Sequence, residues 1–164
     1  MKNYAIILCA LFISLMSCET EKGEDTPVIE TDKQVRLEIF SMNPGSSSAY
    51  SEDIIIGDLI RFNKNYWSNV DSIIFVANFG VGEYSEEGTS AFTATAELYD
   101  KTNEQVIEGS SVSTNSTIVS HISSSNVYDN LPDEEITLGI KFSIDNEGEY
   151  IGISGTSYLF IYKN

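Results

Sequence analysis

Apolar residues in this chain recur at every second position, and that period limits its folding more than any other feature. Val35, Leu37 and Ile39 alternate with Arg36 and Glu38. Phe92, Ala94, Ala96 and Leu98 alternate with Thr93, Thr95 and Glu97. Ile136, Leu138, Ile140, Phe142 and Ile144 alternate with Thr137, Gly139, Lys141 and Ser143. Successive side chains of a strand point to opposite faces, so each segment has one face for a core and one for water. A helix needs an apolar stripe at a spacing of 3.6, and no segment sustains one. Ile54 to Phe62, Val70 to Phe79, Gln105 to Ser110, Thr117 to Ile122 and Glu149 to Tyr162 are further strand candidates. Turn-forming clusters separate them: Asn43-Pro44-Gly45, Gly82 to Thr89, Asp100 to Glu104, Ser123 to Asn126 and Asp145 to Gly148. The expected fold is all-β, an antiparallel β-sandwich of about eight strands formed by residues 34–164 as a single domain, and the strand number favours a jelly roll.

Three segments carry a resemblance. Trp67 to Phe75 (WSNVDSIIF), Ala94 to Thr114 (ATAELYDKTNEQVIEGSSVST) and Leu131 to Phe142 (LPDEEITLGIKF) resemble successive strands of a jelly-roll domain found in extracellular bacterial proteins. The resemblance implies a hairpin joining AELYD to the segment that ends in Gly109-Ser110, and a last strand like Tyr158 to Ile161. Members of that group resemble carbohydrate-binding modules, which implies a glycan role by fold analogy alone.

The amino terminus supplies an address. Ala5 to Met16 form an uncharged, apolar run behind Lys2, with Ser14 its one polar residue. The run is too short for a membrane span, which needs about 20 residues, and it has the length and place of a secretory h-region. It ends Leu15-Met16-Ser17-Cys18, which resembles the lipobox of bacterial lipoproteins, with Met16 a departure from the small residue usual there. The resemblance implies a signal peptide over residues 1–17, cleavage before Cys18, and acylation of Cys18 with palmitate-type chains. Cys9 leaves with the signal, so the mature chain keeps no thiol for a disulfide. Several acyl chains anchor stably where one does not. Glu19, Glu21, Glu24 and Asp25 open a lipidated, acidic and flexible tether over residues 18–33. They resemble the acidic tether with which some Gram-negative bacteria send lipoproteins to the outer face of the outer membrane. The expected location is the outer membrane, lipid-anchored and facing the exterior; the alternative is a merely soluble linker.

The formal net charge of −16 becomes −17 when Lys2 is removed with the signal. No basic stripe exists to neutralise phosphates, so nucleic acid is excluded as a partner. The chemistry of catalysis is equally thin. His121 is the single histidine, it lies in IVSHIS, and no G-x-S-x-G elbow is present. One histidine cannot build a His-type zinc site. Asp145-Asn146-Glu147-Gly148-Glu149 lacks the spacing of a calcium loop and reads as a hairpin turn, with Gly148 at positive φ. Glu86-Glu87 and Asp133-Glu134-Glu135 fall in turn-like segments, where carboxylates are ordinarily solvated. No enzyme activity, metal or cofactor is expected. Asp71-Ser72-Ile73 resembles a short O-glycosylation acceptor of some bacteria but falls in a strand.

The aromatic residues are more informative, with nine tyrosines and one tryptophan. Such rings stack on sugar faces while their polar tips stay hydrated. Tyr66, Trp67, Tyr158 and Tyr162 are the candidate ligand-stacking residues. In the last strand Ile151, Ile153, Leu159 and Ile161 should face the core, with Tyr158, Phe160 and Tyr162 on the other parity. Tyr66 and Trp67 are adjacent and would point opposite ways on a strand. The expected function is a surface-anchored, non-catalytic binding or adhesion domain. A neutral glycan is the favoured ligand class, since like charge opposes anionic ligands. The alternative is a structural or assembly role with a surface protein partner.

Overall fold

The computed structural model describes residues 28–31, 33–43, 46–82 and 88–164. The signal, Cys18 and most of the acidic tether lie outside the described residues. So do Pro44-Gly45 and the Glu86-Glu87 pair.

The fold is an all-β sandwich of two antiparallel sheets. The first contains β1 (Val28–Thr31), β2 (Gln34–Ser41), β3 (Ser47–Tyr50), β5 (Val70–Val81), β9 (Ser120–Asn126), β11 (Ile151–Ser154) and β12 (Thr156–Lys163). The second contains β4 (Ile54–Phe62), β6 (Thr89–Asp100), β7 (Gln105–Val106), β8 (Val112–Ser116) and β10 (Ile136–Ile144). The long strands of the first sheet run in the order β2-β12-β5-β9, and those of the second β4-β10-β6-β8.

The alternation read from the sequence is the alternation of burial. Val35, Leu37 and Ile39 of β2, Ile73, Phe75, Ala77 and Phe79 of β5, and Leu159 and Ile161 of β12 face inward. Ala94, Ala96 and Leu98 of β6 and Ile136, Leu138, Ile140 and Phe142 of β10 meet them from the second sheet. Phe79 and Phe142 touch edge to face across the gap, with centroids 5.7 Å apart. This core holds the sheets together by burial of branched and aromatic side chains.

Twelve strands replace the expected eight or so among the described residues, for local reasons. The Glu149 to Tyr162 segment is split at Gly155, whose φ is +64°. Asn78 holds the kink: its side-chain amide donates to Ser154 O (2.6 Å), and its backbone N–H donates to Ser157 Oγ (3.0 Å). A Cβ on Gly155 would stand 2.7 Å from Asn78 Nδ2, so both space and backbone require glycine there. Gln105 to Ser110 was expected as a strand, but pairing stops at Val106. Ser110 turns back into the sheet, where its hydroxyl donates to Ile107 O (2.6 Å) and accepts from the Leu98 N–H (3.0 Å). The expected hairpin after AELYD is present, with Tyr99 opposite Val106.

Two further boundaries differ. Thr117 to Val119 form a turn, and the strand runs from Ser120 through Asn126, including the Ser123 to Asn126 segment expected as a turn. Ser124 Oγ and Asn126 Oδ1 accept from the Phe75 and Ile73 N–H groups at 3.0 Å, so polar side chains complete a bulged strand pair. Val28–Thr31, read as the end of the flexible tether, pairs with β2 as an edge strand. Asp145 to Gly148 form a turn with Gly148 at φ +88°, but not the expected hairpin: β10 lies in the second sheet and β11 in the first, so the turn carries the chain from one sheet to the other.

Candidate functional site

The four candidate rings fall into two separate groups. Tyr66 and Trp67 sit at the end of the sandwich where β4 passes to β5. Tyr158 and Tyr162 lie on the outer face of the first sheet. Among the described residues no ring contact joins the two groups.

The first group is built on a short 3-10 turn, Lys64–Tyr66, and not on a strand. Asn63 opens the turn, its side chain accepting from the Asn65 N–H (2.9 Å). The turn places the two rings side by side, with centroids 6.2 Å apart and planes tilted by 60°, where a strand would have sent them apart. Trp67 is half-buried, stacked on Phe62 at 5.3 Å and packed against the core. Tyr66 is 63% exposed, yet its hydroxyl donates to Glu135 Oε2 (2.7 Å).

The loop that precedes β10 straps this corner down. Lys64, only 12% exposed, donates to Leu131 O (2.6 Å), meets Asp133 Oδ1 at 3.1 Å, and lies over the Tyr128 ring. Asn65 donates to Asp133 O (2.9 Å). Arg61 stands 3.9 Å from the other oxygen of Glu135. The hydrogen bond to Glu135, and then the charge on that carboxylate, push the Tyr66 hydroxyl above its ordinary value of 10.0. The corner is an exposed ring held still, backed by a second ring, with carboxylate acceptors around it.

In the second group, Tyr158, Phe160 and Tyr162 follow one another along β12, with centroids 5.7 and 6.4 Å apart. His121 of β9 extends the row, stacked on Tyr158 at 5.9 Å and donating from Nε2 to Thr156 O (3.1 Å). The Arg36 guanidinium covers the Tyr158 ring at 4.9 Å. Tyr158 and Phe160 are half-buried, and Tyr162 is 38% exposed. Phe160 was visible from its parity with the two tyrosines. The parts played by Arg36 and His121 depend on which strands are neighbours, which no local pattern reveals.

Of the other acidic residues, Glu38 of β2 stands opposite Tyr158 in the strand register, and several have structural partners. Asp100 is fully buried and caps its turn, accepting from the Thr102 and Asn103 N–H groups at 2.9 and 3.1 Å. Glu134 accepts from Asn103. A shallow cleft of about 550 Å³ lies at the opposite end of the sandwich, lined by Ser51, Glu52, Asp53, Ile144, Asn146, Glu147 and Gly148. It carries no ring, and Lys141 lies 3.8 Å from Asp53. Among the described residues, no group of three or more His, Cys, Asp or Glu could hold a metal ion. Ser72 is half-buried in β5, opposite Tyr162.

Neither a protein-family profile nor a curated protein matches this chain. The site therefore stands on its own geometry.

Proposed function

We propose that this chain is a non-catalytic binding module, held at the outer membrane by lipid on Cys18 and facing the exterior, which takes a neutral glycan at the Tyr66–Trp67 corner. Tyr66 carries the reading. A tyrosine 63% exposed ordinarily samples several rotamers, and fixing one on binding costs free energy. Here the hydroxyl is already tied to Glu135, so the ring face is oriented before a ligand arrives. The 60° angle to Trp67 makes a corner for a sugar ring, and Asp133 and Glu135 can accept sugar hydroxyls. Carboxylates only accept hydrogen bonds when ionised, and together with the net charge of −16 they disfavour uronic or sulfated sugars.

The anchor rests on the Leu15 to Cys18 pattern. The jelly-roll reading of the sandwich is supported by its strand order, two sets of four strands with connections that pass repeatedly from one sheet to the other. The alternative, a structural or assembly component of a surface complex, is favoured by one observation: Tyr158, Phe160 and Tyr162 form a continuous ring row on the outer face of the first sheet, with Tyr162 38% exposed.

The test of the glycan reading is electrophoresis of the chain from Thr26 onward through gels containing a neutral β-glucan, a neutral mannan or a polyuronate. A neutral polysaccharide should retard it, with weak affinity in the millimolar to micromolar range, about −4 to −8 kcal/mol. Tyr66→Ala should weaken retardation about tenfold, or ~1.4 kcal/mol. No retardation by either neutral polymer, or an unchanged Tyr66→Ala protein, would move the conclusion to the protein-partner alternative.

A further inference from the structure

The two outer faces of the sandwich are made differently. On the second sheet the outer positions mix Thr95, Glu97, Lys141 and Ser143 with Tyr99, and Ile55 of β4 and Val106 of β7 lie exposed among them. On the first sheet the row Tyr158, Phe160 and Tyr162 lies beside Ile74 and Val76 of β5, and Val76 is only 7% exposed. Both outer faces mix polar and apolar positions, and among the described residues the first carries the continuous row of ring contacts.

The first face suits a sugar poorly. Tyr158 has Arg36 over its ring and His121 stacked against it, so it has little free ring face to offer a pyranose. Apolar side chains, by contrast, can rest on Phe160, Tyr162 and Ile74 without needing an open ring face.

Arg36 adds a charge preference. The chain has 25 acidic and 9 basic residues. Arg61, Lys64 and Lys141 each stand near a carboxylate. Among the described residues no carboxylate pairs with Arg36, and its contact is the Tyr158 ring. Glu38, two positions along β2 on the same face, does not pair with it. Lys33 in the β1–β2 turn and Lys163 at the end of β12 lie at the same margin, joined by the Lys163 N–H to Lys33 O (2.9 Å). A guanidinium resting on a ring keeps its planar donor edge for a carboxylate, which it can hold through two parallel hydrogen bonds.

We propose that the outer face of the first sheet docks an extended, carboxylate-bearing segment of a partner protein, with apolar side chains on Phe160, Tyr162 and Ile74 and a carboxylate on Arg36. The proposal rests on reading the chain as a binding module, but it uses a different surface and different residues from the neutral-glycan corner. The two can therefore fail separately.

The probes are short synthetic peptides of alternating Leu and Asp, their Leu and Asn counterparts, and a polyuronate. Each is titrated against the full-length chain in detergent by fluorescence anisotropy or competition. The Asp peptide should bind about tenfold more tightly than the Asn peptide, and molar salt should remove most of the difference. Arg36→Gln should bring the two peptides to equal affinity, Arg36→Lys should keep part of the preference, and both variants should keep the circular dichroism spectrum of the native fold. Phe160→Ser should weaken both peptides. Equal binding of the two peptides by the native chain, an Arg36→Gln protein that keeps the preference, or binding of neither peptide at millimolar concentration would overturn the proposal. Tighter binding of the polyuronate than of the Asp peptide would overturn it too, and would assign the face to an acidic glycan.

Discussion

Tyr66 and Glu135 together make a small titrating device at the surface. The hydroxyl donates to the carboxylate, and losing its proton would set two negative charges 2.7 Å apart. The folded-state ionisation is therefore raised above 10.0, and the neutral tyrosine is favoured by the fold. The contribution of this bond to stability is complete below pH 10 and is lost as pH climbs through the raised folded value. Phenolate absorbance should show one tyrosine ionising late in the native chain. Glu135→Gln should return it toward 10.0, because the bond to a charged acceptor and the charge both disappear. Tyr66→Phe keeps the ring and removes its anchor, so it should bind neutral glycan less tightly than the native chain and better than Tyr66→Ala. From sequence, Tyr66 and Trp67 could be named as rings but not oriented. The 3-10 turn that aligns them follows from the Asn63 cap and from Lys64, whose partners lie about seventy residues along the chain.

At the scale of strands, period-two patterning carried most of the fold. Ile54–Phe62 and Ile136–Ile144 have the bounds read from the pattern, and in the latter Ile136, Leu138, Ile140 and Phe142 are buried in alternation along one face. The pattern faltered where side chains stand in for backbone pairing. Ser123 to Asn126 looks like a loop because it is polar, yet Ser124 and Asn126 hold it to β5. Val112–Ser116 is short and polar along its outer positions, and the pattern passed over it. The single segment from Glu149 to Tyr162 breaks at Gly155 because Asn78, on a neighbouring strand, approaches from the side. Gly155→Ala should lower stability by about 2 kcal/mol, since a left-handed L-residue costs ~1–2 kcal/mol before the clash is counted. Denaturant unfolding would check this, and a Gly155→Ala protein as stable as the native chain would contradict the account of the kink. Leu138→Ala, in the centre of β10 and fully buried, should cost about 2 to 5 kcal/mol.

At the scale of the whole molecule, the parts divide the work. If the signal and Cys18 supply the address as proposed, cells fed a tagged fatty acid should label the native chain but not Cys18→Ala, which should persist as an unprocessed precursor. The sandwich supplies a rigid frame that reductant should leave intact, since residues 28–164 contain no cysteine. The net charge of −16 opposes self-association of copies. The frame ends in loops that hold an aromatic corner, and the single tryptophan of the chain lies in that corner, 6.2 Å from the Tyr66 ring. Trp67 emission therefore reports on the corner directly. Titration with a neutral oligosaccharide that retards the protein in gels should give a saturable change in Trp67 emission, lost in Tyr66→Ala and kept in Tyr162→Ala. Emission that stays constant while the protein is still retarded, or a change that disappears in Tyr162→Ala and survives in Tyr66→Ala, would contradict the assignment of the glycan site to the Tyr66–Trp67 corner.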